Sequence, residues 1–297
     1  MNTKGFNMYL SMRKGFSLAI TLWLSTALIA GAIYFISINK ENVRISHQLL
    51  NKLQSSIETQ ETLALLKYAI ASGTFDKNII QNHTISLLPK KLPIDSTPFQ
   101  YKHTTIQLQD TGGLINTMYA QYLVPETLKL FYPNRYIIAK NSLDDWLDTN
   151  SFYRLNGAEK SYYQEQGRHY TPRNQNYLYH SDELYNIRGF QDIPFEKSLI
   201  HTIHNGYNPY TMSSLILQAT YHLSKKEADI LIHLRQENLE SFRKKLVKFK
   251  QKLHLDSLPE LTYSKIIRIT LRTTYQKATT TITAIIDFQT GTNLYLD

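Results

Sequence analysis

The sequence has no cysteine, so disulfides contribute nothing to its stability and thiol chemistry is excluded. Motifs of several enzyme classes are also missing: the chain has no phosphate-binding glycine-rich loop, no His-Glu-x-x-His pair and no nucleophile elbow. Since no catalytic constellation emerges, we expect a protein that is not an enzyme. Two further absences lie at the N-terminus: the first fifteen residues contain no acid, and the 23 that follow contain no charge of either sign.

The uncharged run, residues 16–38, predicts a transmembrane helix. At 1.5 Å of rise per residue it is roughly 35 Å long, enough to cross a hydrocarbon core of about 30 Å. Helix is the conformation that satisfies the backbone of a single segment within lipid. Lys4, Arg13 and Lys14 precede the run, so the positive-inside rule predicts a cytoplasmic N-terminus and places the rest of the chain across the membrane.

Three interpretations of this anchor are open. It is an uncleaved single-span anchor, a secretory signal cleaved near Ala30-Gly31-Ala32, or a type-IV-pilin-like anchor whose leader, residues 1–15, is removed. The pair Gly15 and Phe16, with a basic residue just upstream, resembles the signature that prepilin peptidase cleaves. Ile20 then occupies the fifth mature position, where pilins usually carry Glu. An unpaired carboxylate is costly within a membrane, so its absence suggests a subunit with an unusual place in a filament.

The remaining chain has the length and composition of folded protein. Of 297 residues, 42% are hydrophobic and 19% charged, which suits one large or two modest domains with real cores. The net charge is +9, and much of it lies between residues 225 and 252. We interpret these lysines as a solvated helix face and expect no nucleic acid partner. The alternative is a DNA-binding or DNA-uptake component, which such a surplus of positive charge also permits.

Periodicity predicts an α+β domain interrupted by a helical insertion. An amphipathic stripe continues the anchor as one helix over residues 16–72, which Gly73 ends. Ser224 and Glu227 form a capping box that opens a long helix, with an apolar seam of Leu239, Phe242, Leu246, Phe249 and Leu253. Other helices are predicted at 117–131, 136–149, 181–188 and 213–223, and strands at 99–108, 267–272, 279–288 and 293–296.

Several motifs, in the same order and spacing, resemble the minor pseudopilin K family (GspK) of type II secretion systems. The leader motif lacks the Glu at the fifth position, and the other matching stretches lie between residues 110 and 213. They are Asp110-Thr-Gly-Gly-Leu-Ile-Asn116, Leu143-Asp-Asp-Trp-Leu-Asp148, Asn156-Gly-Ala-Glu159 with Tyr162-Tyr163, Pro172-Arg173-Asn174, Asp182-Glu183-Leu184 with Arg188-Gly189-Phe190, and Asn208-Pro-Tyr-Thr-Met-Ser213.

The resemblance implies a pilin-like fold: a long N-terminal helix packed on a small antiparallel sheet, with two α-helical modules similar to sterile alpha motifs inserted. The pilin-like domain would comprise residues 39–116 and 258–297, and the modules residues 117–204 and 205–257. It further implies a bacterial inner-membrane subunit at the pseudopilus tip that supports export of folded proteins. Its partners would be other minor pseudopilins, prepilin peptidase and the inner-membrane assembly platform.

The resemblance also implies calcium in the insert. Hard cations prefer several oxygen ligands, carboxylates above all. The matching positions are Asp148, Asn150, Glu159 and Asp182, with Asp144 and Asp145 nearby. Asn150 stands where a second acid is usual, and Lys160 follows Glu159 where Asp is frequent, so less negative charge is available to an ion. The alternative is that these carboxylates cap loops and form salt bridges.

Overall fold

The computed structural model describes residues 3–116, 120–172, 178, 181–191, 199–200, 206–252 and 262–296. Within them, one long helix is followed by a run of strands, then by a mainly helical stretch and finally by strands, an order that fits an α+β domain with a helical insertion. The helices are α1 (Thr3–Ala71), α2 (Ala120–Phe131), α3 (Tyr136–Leu147), α4 (Lys160–Glu165), α5 (Ser214–Tyr221), α6 (Lys225–Glu237) and α7 (Leu239–Lys252). The strands are β1 (Thr74–Asp76), β2 (Ile79–Gln81), β3 (Lys91–Pro93), β4 (Phe99–Tyr101), β5 (Thr104–Asp110), β6 (Ile115–Asn116), β7 (Leu199–Ile200), β8 (Ile266–Tyr275), β9 (Ala278–Asp287) and β10 (Thr292–Leu296).

The strands form one principal sheet and two small ones. The principal sheet has the order β10-β9-β8-β5-β4, and β5 pairs antiparallel with β8 from Thr104 opposite Thr273 to Asp110 opposite Ile267. β1, β2 and β3 form an antiparallel sheet, and β6 pairs parallel with β7. A long apolar N-terminal helix followed by antiparallel sheets confirms the predicted pilin-like α+β fold.

The chain divides into two compact units, Met1–Glu58 with Thr274–Thr280 and Thr59–Thr273 with Thr281–Asp297. In the first unit, Lys52 donates from Nζ to the carbonyl oxygen of Thr279 at 2.8 Å, and the hydroxyls of Ser55 and Thr280 lie 2.6 Å apart. The segment of α1 from Leu18 onward includes a window of mean hydropathy 1.9 with none of it buried, so it is long and apolar enough to cross a membrane.

The end of α1 depends on Gly73, as the sequence predicts. A Cβ at this position would lie 2.5 Å from Ile80 Cγ2 and 2.8 Å from the carbonyl oxygen of Ala69. Because only glycine lacks that atom, the chain can leave the helix here and approach β2 closely. The last turns of α1 contribute Leu66, Ala69 and Ile70 to a core shared with the strands.

Two hydrophobic cores lie in the second unit. The sheet core combines the end of α1 with residues of β2, β5, β8 and β9; its fully buried members include Ile80, Ile106, Leu108, Ile269 and Leu271. The insert core combines helices α2 to α7 with the loops between them; its fully buried members include Leu128, Leu143, Tyr163, Leu217, Leu231 and Phe242. The insert core thus contains residues from both predicted modules, and the boundary between those modules stays a prediction.

The long helix predicted from Ser224 is wrong in one respect, because it is two helices. Its capping box is confirmed: the Ser224 hydroxyl accepts from the Glu227 amide, and Glu227 Oε2 accepts from the Ser224 amide at 2.9 Å. At Asn238 the backbone is extended, with φ −150° and ψ 103°, and α6 ends. The Asn238 side chain accepts from the amides of Glu240 and Ser241, both at 3.0 Å, and so opens α7.

The apolar seam of α7 is confirmed where the structure describes it. Phe242, Leu246 and Phe249 are buried in the insert core, while Leu253 lies outside the described residues. The predicted strand at 99–108 is divided at Lys102, whose φ of 50° allows the tight turn between β4 and β5.

Candidate cation site in the helical insert

The site lies where α3 ends and α4 begins. Asp145 is in the last turn of α3, and Asp148 is the residue at which that helix ends. Positions three apart lie on the same face of a helix, which brings these two carboxylates together. Glu159 is the N-cap residue of α4, with an extended backbone. One ligand oxygen from each of Asp145, Asp148 and Glu159 lies within 4.8 Å of the other two.

Gly157 makes this close approach possible. A Cβ at this position would lie 1.9 Å from Asp145 Oδ2 and 2.8 Å from its Cγ, distances that no side chain tolerates. The Gly157 amide donates to the carbonyl oxygen of Arg154 at 2.8 Å, and its own carbonyl oxygen accepts from Arg188 Nη1 at 3.1 Å. The motif Asn-Gly-Ala-Glu therefore contains a glycine because the loop packs directly on the aspartate.

Arg154 lies among the acids, and the sequence interpretation missed it. Its Nη1 donates to Asp145 Oδ1 at 2.7 Å and also to Asp148 Oδ2, and its Nε lies 3.9 Å from Asp144 Oδ2. Its backbone amide lies 3.3 Å from both carboxylate oxygens of Asp145. The hydrogen bonds to Asp148 and Asp145 raise the pKa of the guanidinium above its ordinary value, so it stays charged.

Glu159 is the least compensated member of the group. Only 2% of it is exposed, and its Oε1 has no hydrogen-bond partner within the described part of the chain. Burial raises the pKa of Glu159 to about 7, and the negative charges of Asp145 and Asp148 act in the same direction. The hydrogen bond from the Lys160 amide and the charge of Arg154 oppose this shift without cancelling it.

The structure thus brings two of the four predicted ligands together, Asp148 and Glu159. Asn150 is exposed. Its backbone amide donates to Asp148 Oδ1 at 3.2 Å, and its side-chain Oδ1 accepts from the Phe152 backbone amide at 2.8 Å. Asp182 is exposed in the 3-10 helix Ser181–Asn186 and does not belong to the cluster of three carboxylates found among the described residues. The third carboxylate of the cluster is that of Asp145.

The chemistry of the group suits a calcium ion only in part. Three carboxylates that converge are the hard oxygen donors that calcium prefers. However, Asp145 and Asp148 already bind the guanidinium of Arg154, and Lys140 binds Asp144 at 2.8 Å. With Arg154 in this position the donor set does not fit calcium, because an ion would have to displace a bound cation.

Comparison with known proteins agrees with the architecture. No protein-family model matches the chain, and no curated protein does. Among solved structures, it matches a chain in the crystal structure of the GspK-GspI-GspJ complex from the type 2 secretion system of enterotoxigenic Escherichia coli. The TM-score is 0.52 at 15% identity, and the match covers 86% of this chain and 98% of that one. The chain has a GspK-like fold.

Two motifs that suggested this GspK-like fold pack against each other. The rings of Trp146 and Tyr163 meet edge to face with centroids 5.1 Å apart, and both side chains are buried. The Tyr163 hydroxyl accepts from the Arg188 amide at 3.2 Å, and the Arg188 guanidinium lies 4.7 Å from the centre of the Tyr162 ring. Of the other motif residues, Arg173 and Asn174 lie outside the described part of the chain.

A second motif pair joins the sheet to the insert of the GspK-like fold. Asp110 ends β5 with its side chain fully buried, and its Oδ2 accepts from Asn208 Nδ2 at 2.8 Å. Its Oδ1 accepts from the Gly112 amide at 3.0 Å and from the hydroxyl of Ser264, just before β8. Asn208 also donates to the carbonyl oxygen of Lys77 at 2.8 Å. These motif residues therefore have a structural role.

The predicted processing residues lie on α1. Gly15 and Phe16 are within the helical backbone, and the Phe16 side chain lies outside the described part of the structure. Ile20 is 44% exposed on the same helix. Cleavage between Gly15 and Phe16 stays a prediction.

Proposed function

We propose that this chain is a minor pseudopilin that occupies the tip of a type II secretion pseudopilus and supports the export of folded proteins. One observation carries the proposal: the match to a chain of the GspK-GspI-GspJ complex covers 86% of this chain and 98% of that one. By analogy, its partners would be other minor pseudopilins. The role is structural, and no reaction is assigned to it.

The N-terminal helix supplies the membrane part of this proposal. We place its apolar segment across the bacterial inner membrane as a single span, with the N-terminus cytoplasmic and the folded part periplasmic. Prepilin peptidase would remove the leader between Gly15 and Phe16, and the assembly platform would then take up the mature helix. Apolar side chains such as Leu18 and Trp23, 71% and 76% exposed, are suited to lipid contact.

The insert and Ile20 together suggest the terminal position. A helical insert with its own core adds bulk that would prevent further subunits from stacking above. A subunit with none above it needs no Glu at the fifth mature position, and Ile20 avoids the cost of an unpaired carboxylate in the membrane.

The direct test is maturation in cells that contain prepilin peptidase. Intact-mass measurement of the membrane-extracted protein should give a chain that begins at Phe16. The substitution Gly15→Arg should leave the leader in place, whereas Gly5→Arg, a matched change within the leader, should not. A mature chain that begins after Ala32, or a G15R variant that matures normally, would contradict the assignment.

The alternative function, DNA binding or uptake, depends on the basic face of α7. Lys244, Lys245 and Lys248 are exposed there, as the sequence predicts for a solvated face. Phosphate contacts would make binding weaken steeply with salt. A gel-shift assay at low salt separates the two proposals. If the protein retards DNA, and does so through these lysines, DNA binding or uptake is favoured. A pseudopilin is expected to cause no retardation.

A further inference from the structure

The cluster of acidic side chains at the end of α3 is accompanied by a cation from the same chain, Arg154. Asp145 is fully buried and Asp148 is 18% exposed, so neither carboxylate is solvated as it would be in water. A buried charge needs a partner, and the Arg154 guanidinium supplies it through a single nitrogen that both aspartates share. Its Nε also faces Asp144, which Lys140 compensates.

Arg154 also holds the loop that carries it. The neighbouring apolar side chains do not anchor this loop, since Phe152 is 83% exposed and Leu155 80%. Polar contacts do so instead: the Arg154 amide and guanidinium both bind Asp145, and Asn141 donates to the carbonyl oxygen of Leu155 at 2.7 Å. The same residue therefore neutralises the acids and ties the loop to α3, which are the two tasks a bound divalent ion would perform.

We propose that Arg154 is the internal cation of the cluster formed by Asp145, Asp148 and Glu159, and that it makes the folding of this insert independent of calcium. A calcium ion and the guanidinium would compete for the same oxygens of the aspartates, and their charges repel each other. Arginine is suited to the task because it stays protonated and presents several donors in a rigid plane. The inference concerns the calcium expected from the resemblance and does not depend on the proposed function.

The proposal predicts that loss of Arg154 creates a calcium site. Without the guanidinium, the oxygens of Asp145 and Asp148 that bind it are released, and one ligand oxygen from each of these residues and from Glu159 lies within 4.8 Å of the other two. Glu159 Oε1 is already without a hydrogen-bond partner among the described residues. Such a set of hard anionic oxygens is what calcium selects. In the native chain Arg154 binds the two aspartates of this set, so added calcium should bind weakly or not at all.

The experiment compares the full-length chain in detergent micelles with its Arg154→Gln variant. Thermal unfolding is followed with excess calcium and with a calcium chelator, and calcium binding is measured by calorimetric titration. The native chain should have the same Tm in both conditions. R154Q should have a lower Tm in chelator, regain part of it in calcium, and bind calcium at least tenfold more tightly than the native chain.

Two further variants complete the design. Arg135→Gln removes the same charge from an exposed arginine that stacks on Tyr132, and it should behave as the native chain. Adding Glu159→Gln to R154Q should abolish the gained calcium affinity. If R154Q folds only when calcium is present, that rescue is itself the expected result.

Two outcomes would overturn the proposal. The first is a native chain whose Tm rises with calcium, which would mean that the ion binds despite Arg154. The second is an R154Q variant that calcium neither stabilises nor binds more tightly than the native chain, which would make Arg154 an ordinary salt bridge. The native titration decides the first outcome even if the variant does not fold.

Discussion

Replacement of Asp110 by alanine tests the junction between sheet and insert most sharply. The Asp110 side chain is fully buried and accepts three hydrogen bonds, from the Gly112 amide, the Ser264 hydroxyl and the Asn208 side-chain amide. Alanine removes all three acceptor contacts and leaves the donors in place. Because the donors come from separate stretches of the chain, the loss should weaken the attachment of the insert to β5.

The magnitude follows from which donors retain a partner. Ser264 still donates to the carbonyl oxygen of Ile266 at 2.9 Å, and Asn208 still donates to that of Lys77 at 2.8 Å. The buried Gly112 amide loses its side-chain acceptor, and an unsatisfied buried group costs about 1–3 kcal/mol. The hydrogen bonds that the Asp110 carboxylate accepted are lost in addition. Together with the cost of the unsatisfied amide, this should lower the free energy of unfolding of Asp110→Ala by about 4 kcal/mol.

The conservative variant Asp110→Asn separates the loss of hydrogen-bond acceptors from the loss of side-chain volume. In Asp110→Asn an NH2 group replaces one carboxylate oxygen, and it would face either the Asn208 side-chain amide or the Gly112 backbone amide, donor against donor in both cases. Asn208 is not free to rotate, because its Oδ1 accepts from the Tyr210 amide at 3.1 Å. We therefore expect this variant to lose about 2 kcal/mol although its volume is nearly unchanged.

The assay is denaturant unfolding of the full chain in micelles, followed by the fluorescence of the buried Trp146. Asp76→Ala serves as the control, because Asp76 is exposed on β1 and its loss should cost less than about 0.5 kcal/mol. A D110A variant within about 1 kcal/mol of the native chain would refute the reasoning, since it would mean that the junction does not hold the insert.

Three other changes test the insert in the same unfolding assay. Gly157→Ala should destabilise the chain by about 2–3 kcal/mol, because the new Cβ displaces Asp145; a native-like midpoint would contradict the observed packing. Leu246→Asp should cost about 4 kcal/mol or more, since it places a charge in the apolar seam of α7. Val247→Asp is its control, because Val247 is 43% exposed on the same helix. If the two variants lose the same free energy of unfolding, the apolar seam of α7 does not pass through Leu246. Ser224→Ala should cost about 1 kcal/mol through loss of the capping box, and no loss would mean that the cap is dispensable.

Features encoded by neighbouring residues could be predicted from the sequence. The long apolar helix, the glycine that ends it, the Ser224 capping box and the alternating pattern of β8 all depend on contacts within a few positions. The break at Asn238 was missed because the apolar spacing continues across it. The polar side chain there caps a new helix, and helical periodicity does not reveal such a restart.

The candidate site shows where sequence reasoning stops. Asp148 and Glu159 were identified from the resemblance, and both belong to the carboxylate group. Arg154 was missed because it lies in a loop without periodicity, and its pairing with Asp145 depends on how the chain returns to α3. The bond between Asp110 and Asn208 joins residues 98 positions apart, a distance over which local patterns carry no information.

The central claim is that this chain is a subunit of a minor pseudopilin complex, and co-purification from its own membranes tests it most directly. The full-length chain, tagged and extracted in mild detergent, should elute with the other minor pseudopilins of the same cell as one complex of defined stoichiometry. Elution of the tagged chain alone, while those proteins associate with one another without it, would contradict the claim.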